Sequence, residues 1–242
     1  MADAFRAVAR KERSNEMTPT IYIIGDSTAG VKTEDKRPES GWGEHLHRYF
    51  STAVNIDNRA LNGRSTKSFR EEGHFEEIQN LLNEQDFLII QFGHNDQKVD
   101  DPTRFTEPSG AFKENLTFYV ETAKQKGAQP ILLTPVTRRR FENNQIIFDE
   151  VEAYYQAIKE VAEELAVPMI DMLAITIDLM NRKGEEQSKS LYLHLEPGEH
   201  PNYPEGVTDN THFNETGANT LASLVAQQLN EQVSALAPYY SN

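Results

Sequence analysis

Short apolar runs that alternate with longer amphipathic stretches constrain this chain more than any other feature. The runs are 21–24 (IYII), 53–56 (AVNI), 87–92 (FLIIQF), 131–133 (ILL) and 167–170 (VPMI). Several are rich in branched side chains, as strands buried on both faces of a parallel sheet are. Between them the spacing predicts helices over 42–50, 75–82, 109–126, 151–165 and 215–233, with Gly127 and Pro168 among the residues that punctuate their ends. Strands and helices that alternate in this way fold as an α/β protein, a parallel sheet covered by helices on both faces. Neither a repeat nor a linker breaks the rhythm, so residues 17–242 read as a single domain. Residues 1–16 are charged throughout and read as a loose N-terminal extension. Residues 184–207 keep neither period and read as a long loop leading into Asp209.

Composition narrows the function classes. A chain of 242 residues, 38% of them hydrophobic, has material for one full core. The formal net charge of -14 repels nucleic-acid phosphates and anionic membrane surfaces. No window approaches the ~18 consecutive apolar residues of a membrane span. With no cysteine, disulfides, thiolate nucleophiles and zinc–thiolate sites are excluded. The first residues also lack the apolar centre of a secretory signal, and the two features together point to a cytoplasmic protein. His45 and His47, or His194 and His200, are not spaced to put two ligands on one helical face, so no metal is expected.

Ligands of open α/β sheets sit at the carboxyl ends of the strands. There the sequence places Gly25-Asp26-Ser27-Thr28 after the first strand and Asn62-Gly63-Arg64-Ser65 after the second. The third is followed by Gly93-His94-Asn95-Asp96, the fourth by Thr134-Pro135-Val136-Thr137 and then Arg138, Arg139 and Arg140. Asp209-Asn210-Thr211-His212 precedes the last helix. A serine hydroxyl is a weak nucleophile and needs a base. A histidine supplies one near neutral pH, and a carboxylate holds its tautomer. Ser27, His212 and Asp209 fit these roles, because one tight turn spans the three residues from Asp209 to His212. A tetrahedral oxyanion needs fixed donors. The Ser27 N–H, the N–H at Gly63 and the Asn95 amide are the candidates. Asp26 is assigned to the backbone turn and His94 to packing.

In this order the motifs resemble the SGNH (GDSL) hydrolase superfamily, whose four name residues fall on Ser27, Gly63, Asn95 and His212. The strings GDSTAG (25–30), NGRSTKSF (62–69), FGHND (92–96), TPVTRRRF (134–141) and DNTHF (209–213) are similar to its rhamnogalacturonan acetylesterase branch. The resemblance implies a three-layer α/β/α sandwich with a five-stranded, flavodoxin-like parallel sheet. It implies a serine esterase that removes acetyl groups from rhamnogalacturonan- or pectin-derived oligosaccharides and needs no cofactor. Arg64, Arg138, Arg139 and Arg140 are then candidates for a uronate carboxylate, and Trp42, Tyr192 and Tyr203 for stacking on sugar rings. The rivals are an SGNH esterase acting on xylan, thioesters or short acyl esters, and a carbohydrate-binding protein without catalysis.

Overall fold

The computed structural model describes residues 18–147 and 151–241; the expected extension at 1–16 lies outside them. Five strands form the central sheet: β1 (Thr20–Gly25), β2 (Asn55–Asn58), β3 (Phe87–Gln91), β4 (Gln129–Leu133) and β5 (Met169–Ile170). Their order is β2-β1-β3-β4-β5, and every neighbouring pair is parallel. This is the doubly wound, flavodoxin-like order. It reverses at β1, which opens a crevice at the carboxyl ends of β1 and β3.

Alternation along the strands divides the core in two. Ile21, Ile23, Ile89, Ile131 and Leu133 point to one face. They pack there with Trp42 of α1 (Trp42–His45), Met172 and Met180 of α6 (Met172–Ser188), and Leu221, Val225 and Leu229 of α7 (Glu215–Gln232). Tyr22, Ile24, Leu88, Ile90 and Leu132 point to the other. That face is covered by α2 (Thr66–Glu71), α3 (Glu76–Leu81), α4 (Lys113–Gln125) and α5 (Glu152–Glu164). Each isoleucine or leucine wholly removed from water contributes about 1.5–3 kcal/mol. No helix among the described residues is long and apolar enough to cross a membrane.

Three expectations need correction. Only the first turn of 42–50 is α-helical; the chain tightens into a 3-10 turn at Leu46–Tyr49. The helix α2 was hidden in the sequence because it is short. The expected loop at 184–207 is largely ordered: α6 runs into it, and an antiparallel hairpin of β6 (Tyr192–Leu195) and β7 (Val207–Asn214) follows. The two-residue strand Glu39–Ser40 pairs with the other edge of β7. The hairpin tip is fastened from outside. Asn202 donates its amide to the carbonyls of Glu34 (2.6 Å) and Arg37 (2.9 Å), and the Tyr203 hydroxyl donates to that of Lys36 (3.0 Å).

The hairpin is anchored where β7 becomes α7. Asn214 caps the helix by accepting the Gly217 N–H at 2.9 Å, while its own amide donates to Tyr192 O at 3.0 Å. Gly217 lies so close to the Leu191 carbonyl that a Cβ there would overlap it. Gly217→Ala is therefore expected to cost about 1–3 kcal/mol, as overpacking does. Thermal unfolding checks this as a Tm several degrees lower.

Candidate active site

The turn that carries Ser27 is built directly on the end of β1. The Asp26 carbonyl accepts the N–H groups of Ala29 (3.2 Å) and Gly30 (3.0 Å). The Asp26 carboxylate accepts the Thr28 N–H at 2.9 Å and the Thr28 hydroxyl at 2.8 Å. Its other oxygen lies 3.6 Å from His94 Nδ1, and His94 Nε2 donates to Val136 O at 2.9 Å. Burial opposes the Asp26 charge, but His94 and Thr28 outweigh it and hold the carboxyl below its usual value. Asp26 thus braces the turn from beneath, and Ser27, 8% exposed, stands at its top.

Ser27 Oγ lies 2.8 Å from His212 Nε2. On the other side of the ring, His212 Nδ1 lies 2.7 Å from Asp209 Oδ2. The second oxygen of Asp209 accepts the backbone N–H groups of Thr211 (2.7 Å) and His212 (2.9 Å). The register of β6 against β7 shifts between Asp209 and Phe213, and this irregularity lets the two side chains of one strand meet. Burial raises the Asp209 pKa, but the His212 hydrogen bond and charge and the two N–H donors outweigh it and bring it down to about 2. Burial pushes the His212 imidazole down, and the Asp209 bond and charge more than reverse this, so its pKa is raised.

Beside the serine lie the other two predicted strand ends. The Leu61 N–H donates to Gly25 O at 3.0 Å, which draws the 61–64 turn against β1. Gly63 holds a φ of +74°, the left-handed region that favours glycine. Asn95 donates from Nδ2 to Arg64 O at 3.1 Å and accepts from Arg104 Nη1 at 3.2 Å, which fixes its amide. Below it the buried Asp96 accepts the Thr66 N–H (3.0 Å), the Thr66 hydroxyl (2.5 Å) and the Thr106 hydroxyl (2.8 Å). Burial is the main cause that pushes the Asp96 carboxyl up to about 7.

The expected sugar contacts fare differently. Trp42 is fully buried and donates its indole N–H to Gln91 Oε1 at 2.8 Å, so it has no face to offer a sugar. Tyr192 is likewise buried, its hydroxyl donating to Thr137 O. Arg139, 6% exposed, is a bracket. It donates to Ser188 Oγ (3.0 Å), to Asn210 Oδ1 (3.1 Å) and to the Glu185 carbonyl, holding the D-N-T-H turn rather than a ligand. Arg64 is paired with Glu72 at 2.7 Å. Tyr203 is half-buried and its hydroxyl fastens the hairpin. Arg140 is exposed. Arg138, with Lys98 and Arg104, lines a cleft of about 460 Å³. Lys98 and Arg104 gave no motif in the sequence. They are found only because the 97–104 loop folds beside Asn95.

Comparison with known proteins accords with this geometry. Residues 23–220 match the GDSL-like Lipase/Acylhydrolase family. The chain is 44% identical to the rhamnogalacturonan acetylesterase RhgT of Bacillus subtilis, over 87% of this chain and 89% of that one. It is 37% identical to the probable rhamnogalacturonan acetylesterase YesY of the same organism, over 89% and 94%. Among solved structures, the Bacillus subtilis YxiM protein superposes with a TM-score of 0.76 at 28% identity; 89% of this chain covers 57% of that longer one. The acetylxylan esterase Axe2 of Geobacillus stearothermophilus shares the fold, with a TM-score of 0.62 at 16% identity over 87% and 94%.

The chain therefore belongs to the GDSL-like lipase/acylhydrolase family, and within it to the rhamnogalacturonan acetylesterase-like branch. It is a carboxylic ester hydrolase.

The charge pattern predicts how His212 titrates. Its raised pKa means that the imidazolium persists to a pH above the ordinary 6.5. An NMR titration of the ring should give a midpoint above that value, and Asp209→Asn should bring it down, since the main group opposing burial is then gone.

Proposed function

We propose that the protein is a serine acetylesterase that deacetylates rhamnogalacturonan-derived oligosaccharides through Ser27, His212 and Asp209. The observation that carries this reading is the continuous hydrogen-bonded chain from Ser27 Oγ through the His212 ring to Asp209.

In the first half-reaction His212 Nε2 takes the Ser27 proton as Oγ attacks the acetyl carbonyl carbon. The electron pair of the C=O moves onto oxygen. That oxyanion is met by the N–H groups of Ser27 and Gly63 and by the free amide hydrogen of Asn95. The tetrahedral intermediate collapses, the C–O bond to the sugar breaks, and His212 protonates the departing sugar oxygen. Acetyl-Ser27 remains. In the second half, water gives its proton to His212 and attacks the acetyl carbon, and acetate leaves as Ser27 recovers its proton. Throughout, Asp209 stays ionised and stabilises the imidazolium.

The substrate assignment draws on the names of the relatives RhgT and YesY and on the cleft beside Asn95. Rhamnogalacturonan carries uronate carboxylates. The cleft sets Lys98, Arg104 and Arg138 against Asp100 and Asp101, with Arg104 tied to Asp101 at 2.5 Å; its small cationic excess, in a chain of net charge -14, suits an anionic sugar.

Three measurements test the reading. Ser27→Ala should lower p-nitrophenyl acetate hydrolysis at least ~10³-fold; retention of a tenth of the rate would sink the nucleophile assignment. Acetate release should be faster from acetylated rhamnogalacturonan fragments than from acetylated xylan, and the reverse order would move the enzyme to another glycan. Lys98→Ala should raise KM severalfold for the uronate-bearing substrate, an effect that shrinks as salt rises, and leave p-nitrophenyl acetate kinetics unchanged.

A further inference from the structure

Lys32 has no part in the mechanism above, yet its side chain is entirely withdrawn from solvent. An ammonium is seldom buried without a purpose, because removal from water disfavours its charge. Its three partners explain the placement. Lys32 Nζ donates to the carbonyl of Ser27 itself. It donates to Asn62 Oδ1 at 2.7 Å, on the residue just before Gly63. It lies 3.3 Å from Glu39 Oε1. Glu39 belongs to the short strand that pairs with β7 through Ser40–Phe213 and Glu39–Asn214, directly after His212. One ammonium therefore touches the nucleophile turn, the turn that carries Gly63, and the strand that flanks the catalytic histidine.

We infer that Lys32 is a positioning residue for acyl transfer, pinning these three segments in register. The inference rests on the triad reading given above. Two features separate it from a general packing role. The partners of Lys32 belong to the site, not to the core: a backbone carbonyl, an amide and a carboxylate, each within a residue or two of a reacting group or directly joined to its strand. The charges are also arranged with opposite signs toward one imidazole. Asp209 and Glu39 favour the imidazolium, and Lys32 disfavours it. Around Lys32 itself burial works against the charge, while Glu39, Asp26 and Glu44 work for it.

The test uses p-nitrophenyl acetate, so that it does not depend on the sugar, with Ser27→Ala as the reference for triad chemistry. Lys32→Met should lower kcat roughly 10–100-fold with KM changed less than about twofold, because the donors of the oxyanion site lose their register. The acid limb of kcat/KM should move to higher pH, since a cation near His212 is gone. Glu39→Gln keeps the shape and one acceptor for Lys32, and it keeps the question open to decision where Lys32→Met does not fold. It should move the same limb to lower pH, with a smaller fall in kcat. The inference is overturned if folded Lys32→Met retains kcat within about twofold, or if both limbs stay where the unmodified protein has them. Activity lost only in proportion to unfolded protein also overturns it. An active Ser27→Ala enzyme would instead remove the triad reading itself, so the two failures are distinguishable.

Discussion

The hydrogen bond between Ser27 and His212 joins positions 185 residues apart, and the remaining features of the site exist to keep it short. Closing so long a loop has an entropic cost that local contacts must offset. The sheet does part of this by fixing β1 at its centre, hydrogen-bonded to both β2 and β3, so that the Ser27 turn has a rigid base. The hairpin does the other part. β7 is clamped between β6 and the Glu39–Ser40 strand, and it passes straight into α7, whose Leu221, Val225 and Leu229 are wholly buried. His212 is therefore held from both ends of its strand.

Charge is managed locally in a protein whose net charge is strongly negative. Asp26, Asp96 and Asp209 all lie within the site region, and each has a different environment. Asp209 has N–H donors and an imidazole, and it stays ionised. Asp26 has Thr28 and His94. Asp96 has hydroxyls and an N–H, and burial dominates it. The same residue type thus serves as the partner of an imidazole, a turn brace and a buried strut. The partners decide which, as they do wherever carboxylates of one kind are sent to different tasks.

Much of this was legible in the sequence. The apolar runs marked β1, β3 and β4 closely, because strands buried on both faces cannot hide their composition; β2 (Asn55–Asn58), a partly exposed edge strand of polar sequence, starts two residues after its run does. The placement of Ser27, Gly63 and Asn95 was legible because they sit in short motifs after strands, and that of Asp209 and His212 because they stand three residues apart just before the last helix. The hairpin was not, since its register is set by Glu39–Ser40 and by the tether at Asn202 and Tyr203, neither of which is local to it. Trp42 and Arg139 were misread as substrate contacts because a ring or a guanidinium carries no sign of which way it faces; here one bonds Gln91 and the other Asn210. Lys32 left no trace at all. It is one lysine in a charged chain until folding withdraws it from water.

Ser27 must be the hydroxyl that is acylated. A serine-directed phosphonate with a good leaving group, followed by digestion and mass spectrometry, reads this directly. One adduct per chain is expected, on Ser27, with esterase activity lost in step with labelling and both slowed in Asp209→Asn. Complete inactivation with the adduct on another residue would contradict it.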